Sequence, residues 1–334
     1  MKQVQLAAYG VPEQVVRCVE VPDVGAPGPG EVVFDVLAFP INPADISFCT
    51  GQYRLRPKLP ATPGAECVGR VAAVGDGVSH VAVGDHVINL QRENWTQRRR
   101  VRGEDVIAIP QGIPVRQAAM LRINPPTAQL LLSDVAKLAP GDWVIQNVAN
   151  SAVGRLVIRL GRAQGLRTVN VVRREALFAE LEAMGADVCV VDGPDLAARV
   201  ATAIEASGGG GAPVKLGIDA VCGEALQRIA TCVADDGAVV TYGAMSGGQP
   251  MIDRSELMFR GLTLSGFMLG RFLGRRPLAE IRTIFADLGR QMLDGKLDAP
   301  VAEVYPIERI ADAVAHAQRD AKGGKILVAP NGMV

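Results

Sequence analysis

The chain lacks the ligand patterns of a metal site. Its six cysteines, Cys18, Cys49, Cys67, Cys189, Cys222 and Cys232, include no C-x-x-C pair, so neither a zinc knuckle nor a disulfide framework is expected, and most read as small buried hydrophobes. Histidine is scarcer still. His80, His86 and His316 have no partner at ligand spacing, and no metal is expected. There is no excess of either charge. Lys and Arg number 35, as do Asp and Glu, which argues against a general nucleic-acid or polyanion binder. No apolar run is long enough to span a membrane, and none is expected as a partner. Residues 1–10 lack the apolar core of a signal peptide and the Arg/Ser-rich helix of a transit peptide, so a cytoplasmic location is expected. Aromatic residues are only 4% of the chain.

What is present suits a turn-rich α/β protein. Hydrophobic residues make up 49% of 334, glycines number 37, and the length predicts about two domains. One stretch organises the rest. A Pro-Gly-Asp turn ends at Asp142, an apolar strand is expected over Trp143–Val148, a turn of small and amide residues follows, and a helix begins near Ser151. Strand, tight turn and helix form the first unit of a dinucleotide-binding fold, in which backbone N–H groups and the helix N-terminus meet a pyrophosphate. The glycine pattern is eroded: Ala149, Ser151 and Gly154 occupy the three positions of G-x-G-x-x-G. Leu156, Val157 and Leu160 recur at helical spacing, and Gly165 stands where a C-cap belongs. The next strand, Thr168–Val172, ends in Arg173-Arg174 and not in an acid. A carboxylate there holds the ribose 2′-hydroxyl of NAD, whereas arginine forks match a 2′-phosphate, so NADPH is the expected cofactor. The alternative is an ordinary arginine pair at a strand end.

Residues 1 to about 121 read as short strands between Gly/Pro turns, a small barrel-like β domain. From Asn124 strands alternate with helices through about Leu269: helix 175–184, strand 188–191, helix 196–206, a flexible loop 208–211, strand 214–221, helix 224–233, strand 238–242 and a sixth strand, 262–267. That alternation implies a parallel sheet with right-handed crossovers. A helix follows over 278–293, and 299–306 and 325–328 read as strands returning to the first domain.

An N-terminal β domain, an inserted nucleotide-binding domain and a returning C-terminus resemble the medium-chain dehydrogenase/reductase superfamily over nearly the whole chain. The resemblance implies a GroES-like β-barrel catalytic domain over 1–121, completed by about 270–334, and a doubly wound Rossmann domain over 122–269. Zinc-dependent members carry a Cys near the position of Asn42, a Gly-His-Glu and a four-Cys lobe. Here the matching segments are Asn42-Pro43-Ala44-Asp45 and Gly64-Ala65-Glu66, with no cysteine from Asp85 to Asp105. Among zinc-free members, Ile41–Asp45, Gly51–Pro60, Asn124–Ala128, Gln146–Gly154, Gly165–Arg173 and Thr241–Met245 look like the mitochondrial-type trans-2-enoyl thioester reductases. Quinone oxidoreductases share the fold and are the alternative. The enoyl reductases use the tyrosine matching Tyr53 as catalytic acid. Hydride addition to C3 of an enoyl thioester builds enolate charge, and a phenol can donate a proton without a metal. Asn42 and Asn124 are amides suited to orienting that tyrosine and the nicotinamide. Without the resemblance, Tyr53 reads as a loop residue packed over Pro57 and Pro60.

For the cofactor the resemblance implies Asn124, Asn150, Ser151, Ala152, Val153, Gly154, Arg173, Arg174, Tyr242, Gly243, Met245, Phe267 and Leu269, with Lys325 at the adenosine phosphate. Ala152 replaces a usual glycine, which requires a negative φ there. Met268 stands where a tryptophan is frequent beside the acyl pocket. The arginine-rich segment from Glu93 to Arg102 reads either as a solvated edge strand or as a patch for coenzyme A phosphates or an acidic carrier protein. The resemblance further implies enoyl-CoA, enoyl-ACP or quinone as substrate and a homodimer, paired through the 262–267 strand.

Overall fold

The computed structural model describes residues 1–210, 212–319, 323–332 and 334. The last residue of the loop expected at 208–211 lies outside the described residues. By compactness the chain divides into Met1–Ile123 with Pro277–Val334, and Asn124–Arg276.

The strands of the first unit are β1 (Lys2–Leu6), β2 (Val16–Glu20), β3 (Glu31–Pro40), β4 (Val68–Val74), β5 (His86–Asn89), β6 (Arg98–Arg102) and β7 (Val106–Ala108). Those of the second are β8 (Trp143–Gln146), β9 (Arg167–Val172), β10 (Val188–Val191), β11 (Val214–Asp219), β12 (Ala238–Thr241) and β13 (Thr263–Gly266). The chain then returns with β14 (Val301–Pro306) and β15 (Lys325–Ala329).

In the first unit a seven-stranded sheet runs β14-β15-β3-β4-β5-β7, with β6 paired to β3 off that path, and β1 and β2 form a separate hairpin. Its order shows how the C-terminus completes the domain. β15 lies antiparallel to β3, opposite Phe39 and Pro40, so Lys325 is brought to the end of the strand that leads into Asn42. The core gathers Phe34, Phe39, Trp95, Ile307, Val314 and Val328, with the Phe39 and Trp95 rings stacked at 5.6 Å.

The second unit is a six-stranded parallel sheet in the order β10-β9-β8-β11-β12-β13, the doubly wound arrangement whose ligand crevice lies at the carboxyl ends of the strands. The helix Ala152–Ala163 buries one apolar stripe, Val153, Leu156, Val157, Ile158 and Leu160. Some elements differ from what their apolar runs suggest. β8 stops at Gln146 because the Asn147 side chain turns to Asp219 Oδ1 at 2.6 Å. β11 stops at Asp219 because that carboxylate accepts the N–H groups of Val221 and Cys222 at 3.0 Å. The stretch expected as one helix over 175–184 is a single 3-10 turn, Glu175–Leu177, followed by a short helix, Phe178–Ala183.

Candidate active site

In the second unit the predicted cofactor residues converge on one edge of the sheet. Asn150–Gly154 follow β8, Arg173 and Arg174 follow β9, Tyr242–Met245 follow β12, and Phe267–Leu269 follow β13. Ser151 is the N-cap of the helix Ala152–Ala163, and its Oγ accepts the Gly154 N–H at 3.1 Å, the arrangement that satisfies an orphan donor of the first turn. Ala152 is the first helical residue, so its φ is negative and no glycine is needed. Gly154 is required for space: a Cβ there would stand 2.5 Å from the Ala149 carbonyl oxygen. This is the close strand–helix packing that the third glycine of the fingerprint serves. Behind the turn, Gln146 Nε2 donates to Gly154 O at 2.9 Å and to Asn170 Oδ1 at 2.8 Å, tying β8, the helix and β9 together. Asn150 is fixed through its carbonyl, which accepts from Arg155 at 2.9 Å. Burial pushes the Tyr242 phenol up to about 12 against the opposing pull of the Ser151 side chain, so it serves as a neutral contact.

Arg173 and Arg174 are exposed at the end of β9. Met245 is exposed and Val153 buried, while Phe267 is buried against Phe272, ring centroids 4.3 Å apart. Leu269 opens a one-turn helix, Leu269–Leu273. Asn124 is buried, and its Nδ2 has no hydrogen-bond partner among the described residues. An orphaned buried amide is costly, and an incoming carboxamide would supply the missing acceptor. The phosphate turn, the arginine pair and this amide together fit a phosphorylated dinucleotide.

The first unit holds Tyr53 and Asn42. Asn42 precedes the helix Pro43–Cys49, and its N–H donates to Asp45 Oδ2 at 3.0 Å. Its side chain is expected to orient Tyr53. Instead Asn42 Nδ2 donates to Glu66 Oε1 at 2.7 Å, and Asn42 Oδ1 accepts from the Lys325 ammonium. A carboxylate and an ammonium bind an amide more strongly than a phenol does. Lys325, expected at the adenosine phosphate, is thus placed on Asn42. The other Glu66 oxygen accepts the Ile123 N–H at 3.0 Å. Gly64 makes this inward turn possible: it sits at φ +113, and a Cβ would meet Trp95 at 2.6 Å. Burial pushes the Glu66 carboxyl up to about 7 against the pull of Lys325 and the Asn42 bond. Asp45, whose Oδ1 accepts the Ala65 N–H at 2.9 Å, is likewise raised by burial. Tyr53 lies on the loop beyond the helix, with its N–H on Ser47 O at 2.9 Å. The Arg92 guanidinium stands over its ring, 5.1 Å from the centroid. Among the described residues its hydroxyl makes no hydrogen bond, and no group of three or more His, Cys, Asp or Glu could hold a metal ion.

Two family models match the chain: an alcohol dehydrogenase GroES-like domain over residues 28–113 and a zinc-binding dehydrogenase domain over 152–286. Mitochondrial enoyl-[acyl-carrier-protein] reductase of Bos taurus is 33% identical over 310 residues, covering 90% of this chain and 81% of that one. The Homo sapiens protein of the same name is 32% identical, covering 92% and 82%. The chain belongs to the medium-chain dehydrogenase/reductase superfamily. Among solved structures, the Etr1p complex with NADP and crotonyl-CoA superposes on this dehydrogenase/reductase with a TM-score of 0.86 at 28% identity, covering 98% of this chain and 99% of that one. A quinone oxidoreductase of Pseudomonas syringae pv. Tomato also gives 0.86, at 25% identity, covering 98% and 99%.

Within this member of the superfamily the arginine-rich strand is neutralised by the chain's own acids. Arg98 pairs with Asp35 at 2.7 Å, Arg99 with Glu93 at 3.1 Å, Arg100 with Glu31 at 3.5 Å and Arg102 with Glu104 at 3.3 Å. Of the two readings of β6, the structure favours the solvated, ion-paired strand. Glu66, Asp45 and Arg92 are the site residues to which motif reading gave no role, as is Arg122, a guanidinium whose charge burial disfavours and Glu66 favours. Only the acids gave a signal, standing beside Gly64 and Pro43.

The raised Glu66 carboxyl has a consequence for stability. Its folded value, about 7, lies above the ordinary 4.5, so the folded state holds the proton more tightly and stability falls as pH rises from about 4.5 through 7. The shift corresponds to roughly 3 kcal/mol at most. Glu66→Gln should therefore lose less Tm than the native chain between pH 5 and 8 in scanning calorimetry. Parallel curves would show that Glu66 does not titrate there.

Proposed function

We propose that this NADPH-dependent oxidoreductase reduces the C2=C3 double bond of 2-enoyl thioesters, with Tyr53 giving the proton. The observation that carries the reading is Tyr53 itself, a half-buried phenol whose hydroxyl is uncommitted and whose ring lies against a cation. The similarity to enoyl reductases over nine-tenths of the chain supports it, as does the likeness to a structure holding NADP and crotonyl-CoA. Bound NADPH supplies the hydride, to C3. The chain's own part is to bind and to protonate. Arg173 and Arg174 take the 2′-phosphate, the Ser151-capped turn and helix N-terminus take the pyrophosphate, and Asn124 Nδ2 donates to the carboxamide oxygen. Tyr53 stabilises the enolate and protonates C2. The acyl group arrives on coenzyme A or on a carrier protein.

A quinone or activated alkene is the second reading, supported by the quinone oxidoreductase of the same fold. NADPH oxidation followed by absorbance, with a medium-chain trans-2-enoyl-CoA and a simple quinone in parallel, separates the two. The expected result is a much higher kcat/KM for the thioester. Turnover of the quinone alone would move the protein to the second reading.

The proposal includes a homodimer. β13 is an edge strand of the six-stranded sheet, and exposed apolar side chains flank it: Met258 and Phe259, the latter 81% exposed, on one side and Met268 on the other. Light scattering should give twice the 35.2 kDa chain mass, falling to one chain mass in Phe259→Lys. A native chain that elutes at one chain mass across micromolar concentrations would reject it.

A further inference from the structure

Arg92 makes contacts that a surface arginine does not make. Its guanidinium lies over two rings, 5.3 Å from the Phe48 centroid and 5.1 Å from that of Tyr53. Its Nη2 is buried without a hydrogen-bond partner among the described residues and faces Asp45 Oδ1 at 3.8 Å. Each Asp45 oxygen already accepts one backbone N–H, from Asn42 and from Ala65, which fixes the carboxylate in place. The guanidinium is thus held by ring faces and by one fixed carboxylate, and it keeps a donor unused where an unmade hydrogen bond is costly. Such a residue is poorly explained by stability alone.

We infer that Arg92 is a positioning residue for Tyr53, fixing the ring and offsetting the negative charge that develops on its oxygen as the proton leaves. The inference rests on the proposed role of Tyr53 as proton donor. In that step the phenol O–H bond breaks, the proton and the enolate electron pair form the new C2–H bond, and the O–H pair stays on the phenolate oxygen until water restores the proton. A cation over a ring face is attracted by the ring itself, which sets the ring's orientation before substrate arrives. The same cation, 5.1 Å from the ring centroid, then acts most strongly when the ring oxygen becomes an anion. The surroundings agree in sign. The charged groups about Arg92 and Asn42 are Asp45, Glu66, Arg122 and Lys325. Burial holds both acids toward their protonated forms, so with Arg92 the cations outweigh the ionised carboxylates beside the donor.

The test is a double-mutant cycle on kcat with an enoyl-CoA substrate, using Arg92→Met, Tyr53→Phe and the pair together. Phenylalanine keeps the ring and removes only the hydroxyl, so the cation keeps its ring contact and loses the group it acts through. Arg92→Met should lower kcat about tenfold with KM within twofold, Arg92→Lys should recover part of the loss, and Arg92→Met should change nothing further in the Tyr53→Phe background. NADPH fluorescence titration of each variant checks that the fold is kept. A further tenfold loss in the double variant, a change in KM alone, or native kcat in Arg92→Met would each overturn the inference while leaving Tyr53 as proton donor. Native kcat in Tyr53→Phe would instead remove the proton-donor role. A loss in Arg92→Met alongside it would then act by another route and overturn the inference too.

Discussion

Tyr53→Phe is expected to lower kcat for enoyl-thioester reduction by about 10²–10⁴-fold, the range of a positioned general acid, while NADPH binds as before. Among the described residues the hydroxyl makes no hydrogen bond, so its removal leaves no buried partner orphaned, and the ring keeps its place against Arg92. The loss should therefore fall on kcat and kcat/KM alike, as for an interaction made only in the transition state. Stopped-flow measurement of a single turnover isolates the chemical step, and an unchanged rate there would return Tyr53 to a packing role. With a quinone, whose reduction needs less acid catalysis, the same variant should change little.

Replacing both Arg173 and Arg174 by alanine is expected to weaken NADPH binding by roughly 100-fold, since two charge-assisted hydrogen bonds to a phosphate contribute about 1.5 kcal/mol each at an exposed site. NADH, which lacks the 2′-phosphate, should bind to the same extent before and after. The two residues stand at the carboxyl end of β9, where an acid would have favoured NAD. Isothermal titration with both cofactors reads the difference directly. Equal losses for NADPH and NADH would mean that the pair shapes the fold of the turn and does not read the phosphate. The effect should also shrink with added salt, as befits exposed charges.

Much of the fold could be read from the chain because its local signals agree with one another. The helices Leu196–Ala206 and Leu278–Leu293 have clear apolar periodicity, and polar residues bound it. The sheet of the second unit follows from strand–helix alternation. Strand ends were harder. Asn147 and Asp219 look like ordinary polar residues after apolar runs, but their side chains bond each other across the sheet and end both strands together. For the candidate site, motifs pointed to Tyr53, Asn42 and the turn after β8. They did not reveal that Lys325 and Glu66 would close on Asn42 from opposite directions. That pairing joins residues 283 and 24 positions away in the chain, and no periodicity carries such information. Arg92 was invisible for the same reason: its meaning depends on two rings brought to it by the helix Pro43–Cys49 and the loop after it.

The eroded glycine pattern has a consequence for the ensemble of unfolded chains. Val148 turns left-handed, φ 50, at the entrance to the phosphate turn, a conformation that costs a β-branched residue about 1–3 kcal/mol. Yet Ala149 and Ser151 each carry a side chain where a glycine would roam widely when unfolded, and each such replacement in a compatible conformation returns about 0.4–1 kcal/mol by narrowing that ensemble. Strain at one residue and restricted freedom at its neighbours work in opposite directions on stability but in the same direction on order. The turn has few shapes available to it, with the Ser151 N–H on Val148 O at 2.8 Å, so little conformational entropy is left to lose when the pyrophosphate arrives.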